Sequence, residues 1–207
     1  RDFCLSRGLG DVYKRQSYPF VTSSNTVSAG ACIGLGVAPR NIGDVYGIFK
    51  AYCTRVGAGP FPTELFSADG KTMQERGHEY GAVTGRERRC GWIDLVALRH
   101  AIQVNGVTKL IMMKGDVLDT FPIVRACVAY EINGRRTDRF PYDAAAVNIR
   151  PVYEDLPGWQ TDLTGAKSAE DFPKNFRSYI RYLEEKLGVP VAIVSVGPDR
   201  LQTIRLD

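Results

Sequence analysis

The chain has 207 residues, of which 44% are apolar and 24% charged, and its formal net charge is +4. These values are ordinary for a soluble globular protein of one or two domains with a sizeable core. Its basic residues form one local cluster but no long stripe, which argues against a nucleic acid as partner. No apolar run approaches the roughly 18 residues of a membrane-spanning helix, so we expect no membrane partner either.

The cysteines and histidines limit the redox and metal chemistry. Five cysteines, an odd number without CxxC spacing, disfavour a disulfide framework and favour a cytoplasmic location. Because His78 and His100 lie far from any cysteine pair, we expect no zinc site. Neither histidine has a carboxylate or nucleophile partner in sequence, and we interpret both as structural or surface residues.

Residues 1–16 do not continue the pattern that follows them. The segment starts with Arg1 and lacks the apolar region of a signal peptide. Its letters, RDFCLSRGLGDVYKRQ, resemble translated sequencing-adapter sequence. We predict that this segment is foreign and that residues 17–207 belong to the domain; a genuine flexible arm is the alternative.

Hydrophobic periodicity and turn residues predict the secondary structure. In chain order we expect an extended piece (18–25), a helix start or packed loop (28–40), a helix (42–53), a Gly/Pro loop (54–65), a helix (92–104), a buried strand (108–113), two strands (124–132 and 135–140) around an Asn-Gly turn, a Pro/Gly loop (153–159), a helix (172–187), a buried strand (189–196) and a final strand (203–206). Asp94 would lie in the first turn of its helix, where a carboxylate suits the dipole. Gly188 would be a C-cap.

This order of elements predicts an α/β protein. We expect part of a mostly parallel central sheet with flanking helices and a small antiparallel annex.

The densest cluster of charged side chains that could bind a ligand is in the segment TGRERRCGW (residues 84–92). Three arginines fall within four positions between two glycines, more than a surface helix needs. Arginine pairs bidentately with carboxylate or phosphate, and glycine permits close approach of the backbone. The loop therefore predicts a small polyanionic ligand.

Two candidate segments follow the buried strands, at the sheet edge where α/β proteins bind ligands. In residues 114–116, Asp116 can accept from the ring N–H and the exocyclic amino group of guanine, and the stem of Lys114 can cover the base. Residues 195–200 could contact a base edge. A plain turn is the alternative for both segments.

Two further segments carry little charge. Residues 21–25 offer hydroxyl and amide groups for a phosphate monoester, although a helix cap is the more common use. Residues 55–65 are either a ligand loop or a structural Ω-type loop. The sequence contains no GxxxxGK[ST] phosphate loop.

Together these segments resemble the adenylosuccinate synthetase family. The matching strings are YPFVTSSNT (18–26), KAYCTRVGAGPFPTEL (50–65), AVTGRERRCGW (82–92), DLVALRHAIQVNG (94–106), KGDVLD (114–119), PVYEDLPGW (151–159) and SVGPDR (195–200). The family joins IMP and L-aspartate into adenylosuccinate with GTP and Mg²⁺: GTP phosphorylates the purine 6-oxygen, and the aspartate amine displaces phosphate. The resemblance implies an incomplete P-loop NTPase-like fold and a purine-biosynthetic ligase that is a homodimer at full length.

The resemblance also implies roles for individual residues. Contacts with IMP fall to Thr22, Val56, Gly57 and Arg86; contacts with aspartate to Ala82, Val83, Thr84, Gly85, Arg86, Glu87 and Arg88; contacts with GTP to Arg88, Lys114, Gly115, Asp116, Ser195, Val196 and Gly197. Val83 stands where the family usually has a threonine, which removes one hydroxyl contact to the dicarboxylate.

The family's phosphate loop, general-base Asp, general-acid His and Mg²⁺ ligands have no counterpart in the sequence. We therefore expect the C-terminal half of a synthetase, joined to a foreign start and inactive by itself. The alternatives are a non-catalytic module that binds guanine nucleotide or IMP, and a structural remnant without a ligand.

Overall fold

The computed structural model describes residues 25–81, 85–145 and 147–206. Within them the α-helices are α1 (Ala29–Leu35), α2 (Ala68–Arg76), α3 (Leu95–Asn105) and α4 (Lys174–Leu187). The strands are β1 (Tyr46–Lys50), β2 (Cys53–Arg55), β3 (Arg89–Gly91), β4 (Ile93–Asp94), β5 (Lys109–Met113), β6 (Ile123–Ile132), β7 (Arg135–Thr137), β8 (Ile149–Pro157), β9 (Val191–Ser195) and β10 (Thr203–Arg205).

Three parallel strands form the centre of the main sheet, whose order is β1-β5-β9-β10. β1 and β9 both run parallel to β5, and β10 closes the sheet antiparallel to β9. The apolar sequences of β5 and β9 suit strands covered on both faces. Leu110, Met112 and Val194 are fully buried. The prediction of a mostly parallel central sheet is therefore confirmed.

Helix α4 covers this sheet with one apolar face. The buried side chains recur at helical spacing, as an amphipathic helix requires, and they are Phe176, Tyr179, Ile180, Leu183 and Leu187. The Tyr179 hydroxyl donates to the carbonyl of Ala51 at 3.0 Å, which ties the helix to the end of β1. Gly188 ends the helix with φ 69°, so the predicted helix and its C-cap are both confirmed.

The second sheet is built around the long strand β6. β6 pairs antiparallel with β7 and β8 and parallel with β4. The predicted Asn-Gly turn is present: Asn133 and Gly134 have φ 51° and 75°, as a tight hairpin needs. The return strand ends at Thr137, three residues before its predicted end. A small antiparallel sheet of β2 and β3 lies beside it.

The predicted helix over residues 42–53 is wrong, because this segment contains strand β1. The spacing of its apolar residues fits a helix, but the sequence YGIFK also suits a strand that pairs with β5 along its whole length. Gly47 lies against the neighbouring loop, where an added Cβ would stand 2.9 Å from Val107 Cγ1. The long-range pairing therefore decided the structure.

The predicted loop over residues 153–159 is also wrong, because β8 covers most of it. Pro157 and Gly158 suggested a break, since proline cannot donate to a sheet and glycine weakens a strand. In the described part of the chain, β8 pairs only with β6. A strand with one partner tolerates proline on its open side.

Two helices differ from the prediction in extent. Helix α2 was not predicted, because it buries only Gly70 and Met73 and has little apolar character. Helix α3 begins at Leu95 rather than Trp92. Asp94 is its N-cap, and its Oδ1 accepts from the amides of Val96 and Ala97. No helix in the described residues has the length and apolar character needed to cross a bilayer.

Candidate functional site

The ends of two parallel strands bring the candidate segments together. β5 and β9 are neighbours, with Met112 opposite Val194. β5 leads into residues 114–116, and β9 ends in residues 195–197. We call these two stretches the strand-end segments. They are far apart in sequence, yet they lie side by side at the carboxyl edge of the sheet.

The first strand-end segment contains a carboxylate oxygen that accepts no hydrogen bond from the described residues. Lys114 has a left-handed backbone, with φ 62°, and precedes a 3₁₀ turn over Gly115–Leu118. The half-buried Asp116 has an Oδ1 atom with no hydrogen-bond partner among the described residues. Burial raises the pKa of Asp116. A buried carboxylate oxygen of this kind is suited to accept a hydrogen bond from a ligand N–H.

The second strand-end segment uses its polar groups internally. The Ser195 hydroxyl donates to the carbonyl of Gly197 at 3.0 Å, and the Val196 amide donates to the carbonyl of Gln202 at 2.9 Å. Both residues are buried. An added Cβ at Gly197 would stand 2.1 Å from Gln202 Oε1, so a larger residue there would displace the Gln202 side chain. The segment therefore gives the edge its shape rather than supplying free donors.

We call residues 80–92, which contain the three arginines, the arginine loop, and its two described arms pair antiparallel. Tyr80 pairs with Glu87 in an isolated antiparallel bridge, and the Gly81 amide donates to the carbonyl of Arg86 at 2.8 Å. Gly85, Arg86 and Glu87 are exposed, and Gly85 has φ 63°. Residues 85–87 are therefore accessible from solvent, as residues that bind a ligand must be.

Arg89 faces away from this exposed end. Its Nε donates to Glu64 Oε1 at 2.7 Å, and its Nη2 forms an ion pair with the same carboxylate. Its Nη1 donates to the carbonyls of Gly57 and Gly59 at 3.1 and 3.0 Å. Arg89 also stacks over the Phe61 ring. The third arginine therefore holds the loop of residues 56–65, which contains Val56 and Gly57, against the arginine loop.

Replacing Arg89 with Lys should loosen this loop. Lysine keeps the charge but lacks the fork that reaches Glu64, Gly57 and Gly59 together. With these hydrogen bonds lost, we expect tryptic cleavage after Arg55 to accelerate about tenfold. Arg125→Lys, in a surface pair with Asp155, is the matched control and should cleave at the unaltered rate. Equal rates for both variants would contradict the anchoring role.

Glu79 is the residue that sequence reasoning missed. Its side chain is fully buried, yet it accepts hydrogen bonds from four side chains. The donors are Lys50 Nζ at 2.8 and 2.9 Å, Tyr52 Oη at 2.6 Å, Lys114 Nζ at 2.7 Å and Arg88 Nη1 at 2.9 Å. Burial alone would raise its pKa, but the hydrogen bonds from Lys114, Lys50 and Tyr52 hold it at about 2. Glu79 is therefore ionised and links the arginine loop to a strand-end segment.

The histidines and acidic residues of the described ranges form no metal-binding cluster. His78 is exposed, and His100 stacks on Phe140 at a centroid distance of 5.6 Å. Across residues 25–81, 85–145 and 147–206, no three His, Cys, Asp or Glu side chains cluster in a way that could hold a metal ion. The cysteines of the same ranges are free thiols.

Comparison with known proteins identifies the family of this chain. The family model for adenylosuccinate synthetase matches residues 11–204. The chain belongs to the adenylosuccinate synthetase family. Synthetases from Parabacteroides distasonis and Porphyromonas gingivalis are 67% and 68% identical to it over 188 residues, which are 91% of this chain and 44% of each relative. The fully ligated synthetase structure from Plasmodium falciparum matches with a TM-score of 0.88 and 35% identity, over 92% of this chain and 46% of that one.

The chain thus spans less than half the length of the family members that it matches. Four residues that the family resemblance assigns to ligands, Thr22 for IMP and Ala82, Val83 and Thr84 for aspartate, lie outside the described residues. The other assigned residues lie on the arginine loop, the adjoining loop of residues 56–65 and the strand-end segments.

Proposed function

We propose that this chain supplies the guanine-, IMP- and aspartate-binding loops of a GTP-dependent adenylosuccinate synthetase. The observation that carries the proposal is the meeting of the two strand-end segments at one sheet edge, joined through Glu79 to the arginine loop. In the proposed reaction the γ-phosphoryl group of GTP moves to the 6-oxygen of IMP. The amine of L-aspartate then attacks C6, and phosphate leaves to give adenylosuccinate, GDP and phosphate.

The strand-end segments would select the base. Both carboxylate oxygens of ionised Asp116 accept, so they match the ring N–H and the exocyclic amino group of guanine. The stem of Lys114 lies over the base while its ammonium group stays with Glu79. Gly115, Ser195, Val196 and Gly197 form the wall of the base pocket. Adenine lacks this pair of donors, so ATP should be a poor substitute for GTP.

The arginine loop would hold the charged parts of the reactants. Arg86 binds the aspartate carboxylate and the IMP ribose, and Arg88 lies toward GTP. The dicarboxylate is contacted by the other residues that the family resemblance assigns to aspartate: Ala82, Val83, Thr84, Gly85 and Glu87. Val56 and Gly57 line the IMP pocket, and Thr22 contacts the IMP phosphate. Fixed cationic groups of this kind stabilise the charge that develops during phosphoryl transfer.

Mg²⁺ would supply further stabilisation of phosphate charge in the complete enzyme. The described residues present no cluster of three metal-ligating side chains, so they do not fit an Mg²⁺ site by themselves. The cytoplasmic homodimer stays a prediction from the family resemblance.

Binding of GTP should weaken as the pH falls. Protonation of Asp116 removes one of its two acceptors, and burial raises the pKa of this carboxyl. The loss should therefore begin at a higher pH than for an ordinary aspartate. Calorimetric titration of the chain with GTP between about pH 5 and 8 measures it. Asp116→Asn, which does not titrate, should show weak binding without this pH dependence; an identical pH profile in both proteins would contradict the assignment.

Activity is best tested in a complete enzyme. We define the hybrid synthetase as the Parabacteroides distasonis enzyme with its matched segment replaced by this sequence, an exchange that 67% identity makes practical. The hybrid should form adenylosuccinate only when GTP, IMP and L-aspartate are all present. Nucleotide binding by the folded hybrid without product would instead favour a non-catalytic guanine nucleotide or IMP module. An absence of both binding and turnover would contradict the proposed function.

A further inference from the structure

Glu79 connects two ligand-binding regions that are separate in sequence. One carboxylate oxygen, Oε1, accepts from Lys114 of the first strand-end segment, and the other, Oε2, accepts from Arg88 of the arginine loop. We propose that Glu79 is a positioning residue that couples these regions, so that GTP and L-aspartate each strengthen the binding of the other. The inference rests on the proposed function, because it takes the two regions to hold GTP and aspartate.

The backbone fixes the position of the Glu79 carboxylate. The Glu79 amide donates to the carbonyl of Gln74 at 2.9 Å, and its carbonyl accepts from the Arg88 amide at 2.9 Å. The residue is therefore held between the end of α2 and the second arm of the arginine loop. Lys114 is held from two sides, because its ammonium group also donates to the carbonyl of Gly77 at 2.6 Å. A movement of Lys114 or of Arg88 therefore disturbs the same buried carboxylate, that of Glu79.

The charge balance around Glu79 favours anionic ligands. Lys50, Arg88 and Lys114 surround one carboxylate, which leaves two positive charges in excess. The three cations are partly buried, so water screens their mutual repulsion only in part, and a further anion nearby would be stabilised. A reactant that holds Arg88 or Lys114 in place also holds the Glu79 carboxylate that both cations share. The other cation is then already ordered when its own ligand binds, which lowers the cost of that second binding step. Arg88 has capacity for such a contact, since its buried Nε has no partner among the described residues.

The coupling is measured in the hybrid synthetase as a ratio of dissociation constants. The dissociation constant of a non-hydrolysable GTP analogue is determined in the presence of IMP, with and without saturating L-aspartate. We expect aspartate to tighten nucleotide binding at least about fivefold in the unaltered hybrid. In Glu79→Gln the shape is kept and the charge removed, and this ratio should fall to about one. By thermodynamic linkage, the effect of the nucleotide on aspartate binding must fall equally.

A control and a rescue variant separate positioning from folding. Glu75→Gln makes the same change on the exposed face of α2, where Glu75 forms an ion pair with Lys71 at 3.8 Å, and should keep the full ratio. Glu79→Gln combined with Lys50→Met removes one of the three cations and should recover part of the lost melting temperature. It should not restore the coupling, because Arg88 and Lys114 still lack their common partner.

Three outcomes decide the matter. A coupling ratio in Glu79→Gln equal to that in Glu75→Gln overturns the proposal, as does full recovery of the ratio in the rescue variant. A ratio that is lost in both Glu79 variants, with the rescue variant stably folded, supports it. Failure of the proposed function appears differently, as an unaltered hybrid that neither binds the GTP analogue nor forms adenylosuccinate.

Discussion

Replacing Asp116 with Asn should change the nucleotide preference of the hybrid synthetase from GTP to XTP. Guanine offers two donors, the ring N–H and the exocyclic amino group, and an ionised carboxylate accepts from both. Asparagine keeps one acceptor but replaces the other with an amino group, which would face the amino group of guanine. Xanthine carries an oxygen at this position and can accept from that amide. A site with unmatched polar groups discriminates strongly, so we expect kcat/KM for GTP to fall about a hundredfold or more.

The measurement is kcat/KM for GTP and for XTP in steady-state assays of the variant. Asp155→Asn is the matched control, because Asp155 lies on β8 in an exposed pair with Arg125 and makes no contact with the strand-end segments in the proposal. It should leave both values unchanged. If Asp116→Asn keeps its preference for GTP, Asp116 does not read the base and the assignment of the strand-end segments is wrong.

Replacing Glu79 with Gln should also cause a large loss of stability. Removing the one carboxylate among Lys50, Arg88 and Lys114 leaves three partly buried cations without their counter-ion. Breaking a buried ion pair typically costs about 3–5 kcal/mol in free energy of unfolding, and the partial exposure of these cations places the expected cost at the lower end of that range. The pKa of Glu79 is about 2, against a usual value of 4.5. This difference corresponds to about 3 kcal/mol of stability.

The pH dependence of this loss has a definite sign. Because the folded-state pKa lies below the unfolded one, the contribution of Glu79 is fully present above about pH 4.5 and is lost as the pH falls toward about 2. Urea unfolding of the chain should therefore show a large difference between Glu79→Gln and the unaltered chain near neutral pH, and a smaller difference in acid. Glu75→Gln should change the stability by less than about 0.5 kcal/mol. A difference that is small near neutral pH would contradict the role of Glu79 as counter-ion.

The sequence predicted the elements whose local pattern and tertiary setting agree. α4 has an amphipathic period and a glycine cap, and β5 and β9 are short apolar runs, so pattern alone identified all three. The prediction for the segment that contains β1 was wrong because its apolar spacing fits both a helix and a strand. Pairing with β5 decided in favour of the strand. Such pairing depends on residues distant in sequence. The local spacing of apolar residues therefore cannot predict such pairing.

The candidate site was predicted in its parts but not in its connections. The position of Lys114 and Ser195 after two buried strands was enough to predict that they share an edge of the sheet. Arg89 looked like a third ligand-binding arginine, and only the fold showed that it binds Glu64 and two loop carbonyls. Glu79 gave no signal, because a single glutamate in sequence shows neither its burial nor the cations around it. Residues whose role depends on contacts with side chains distant in sequence can be identified only from the structure.

The central claim is that this chain places the guanine-, IMP- and aspartate-binding loops around one site. Hydrogen exchange of the hybrid synthetase, followed by mass spectrometry, tests it most directly. We expect the GTP analogue to protect residues 114–118 and 195–199, IMP to protect residues 56–59, and L-aspartate with both to protect residues 82–88. Protection by the GTP analogue that leaves both strand-end segments unchanged, with the hybrid folded and the nucleotide bound, would contradict the claim.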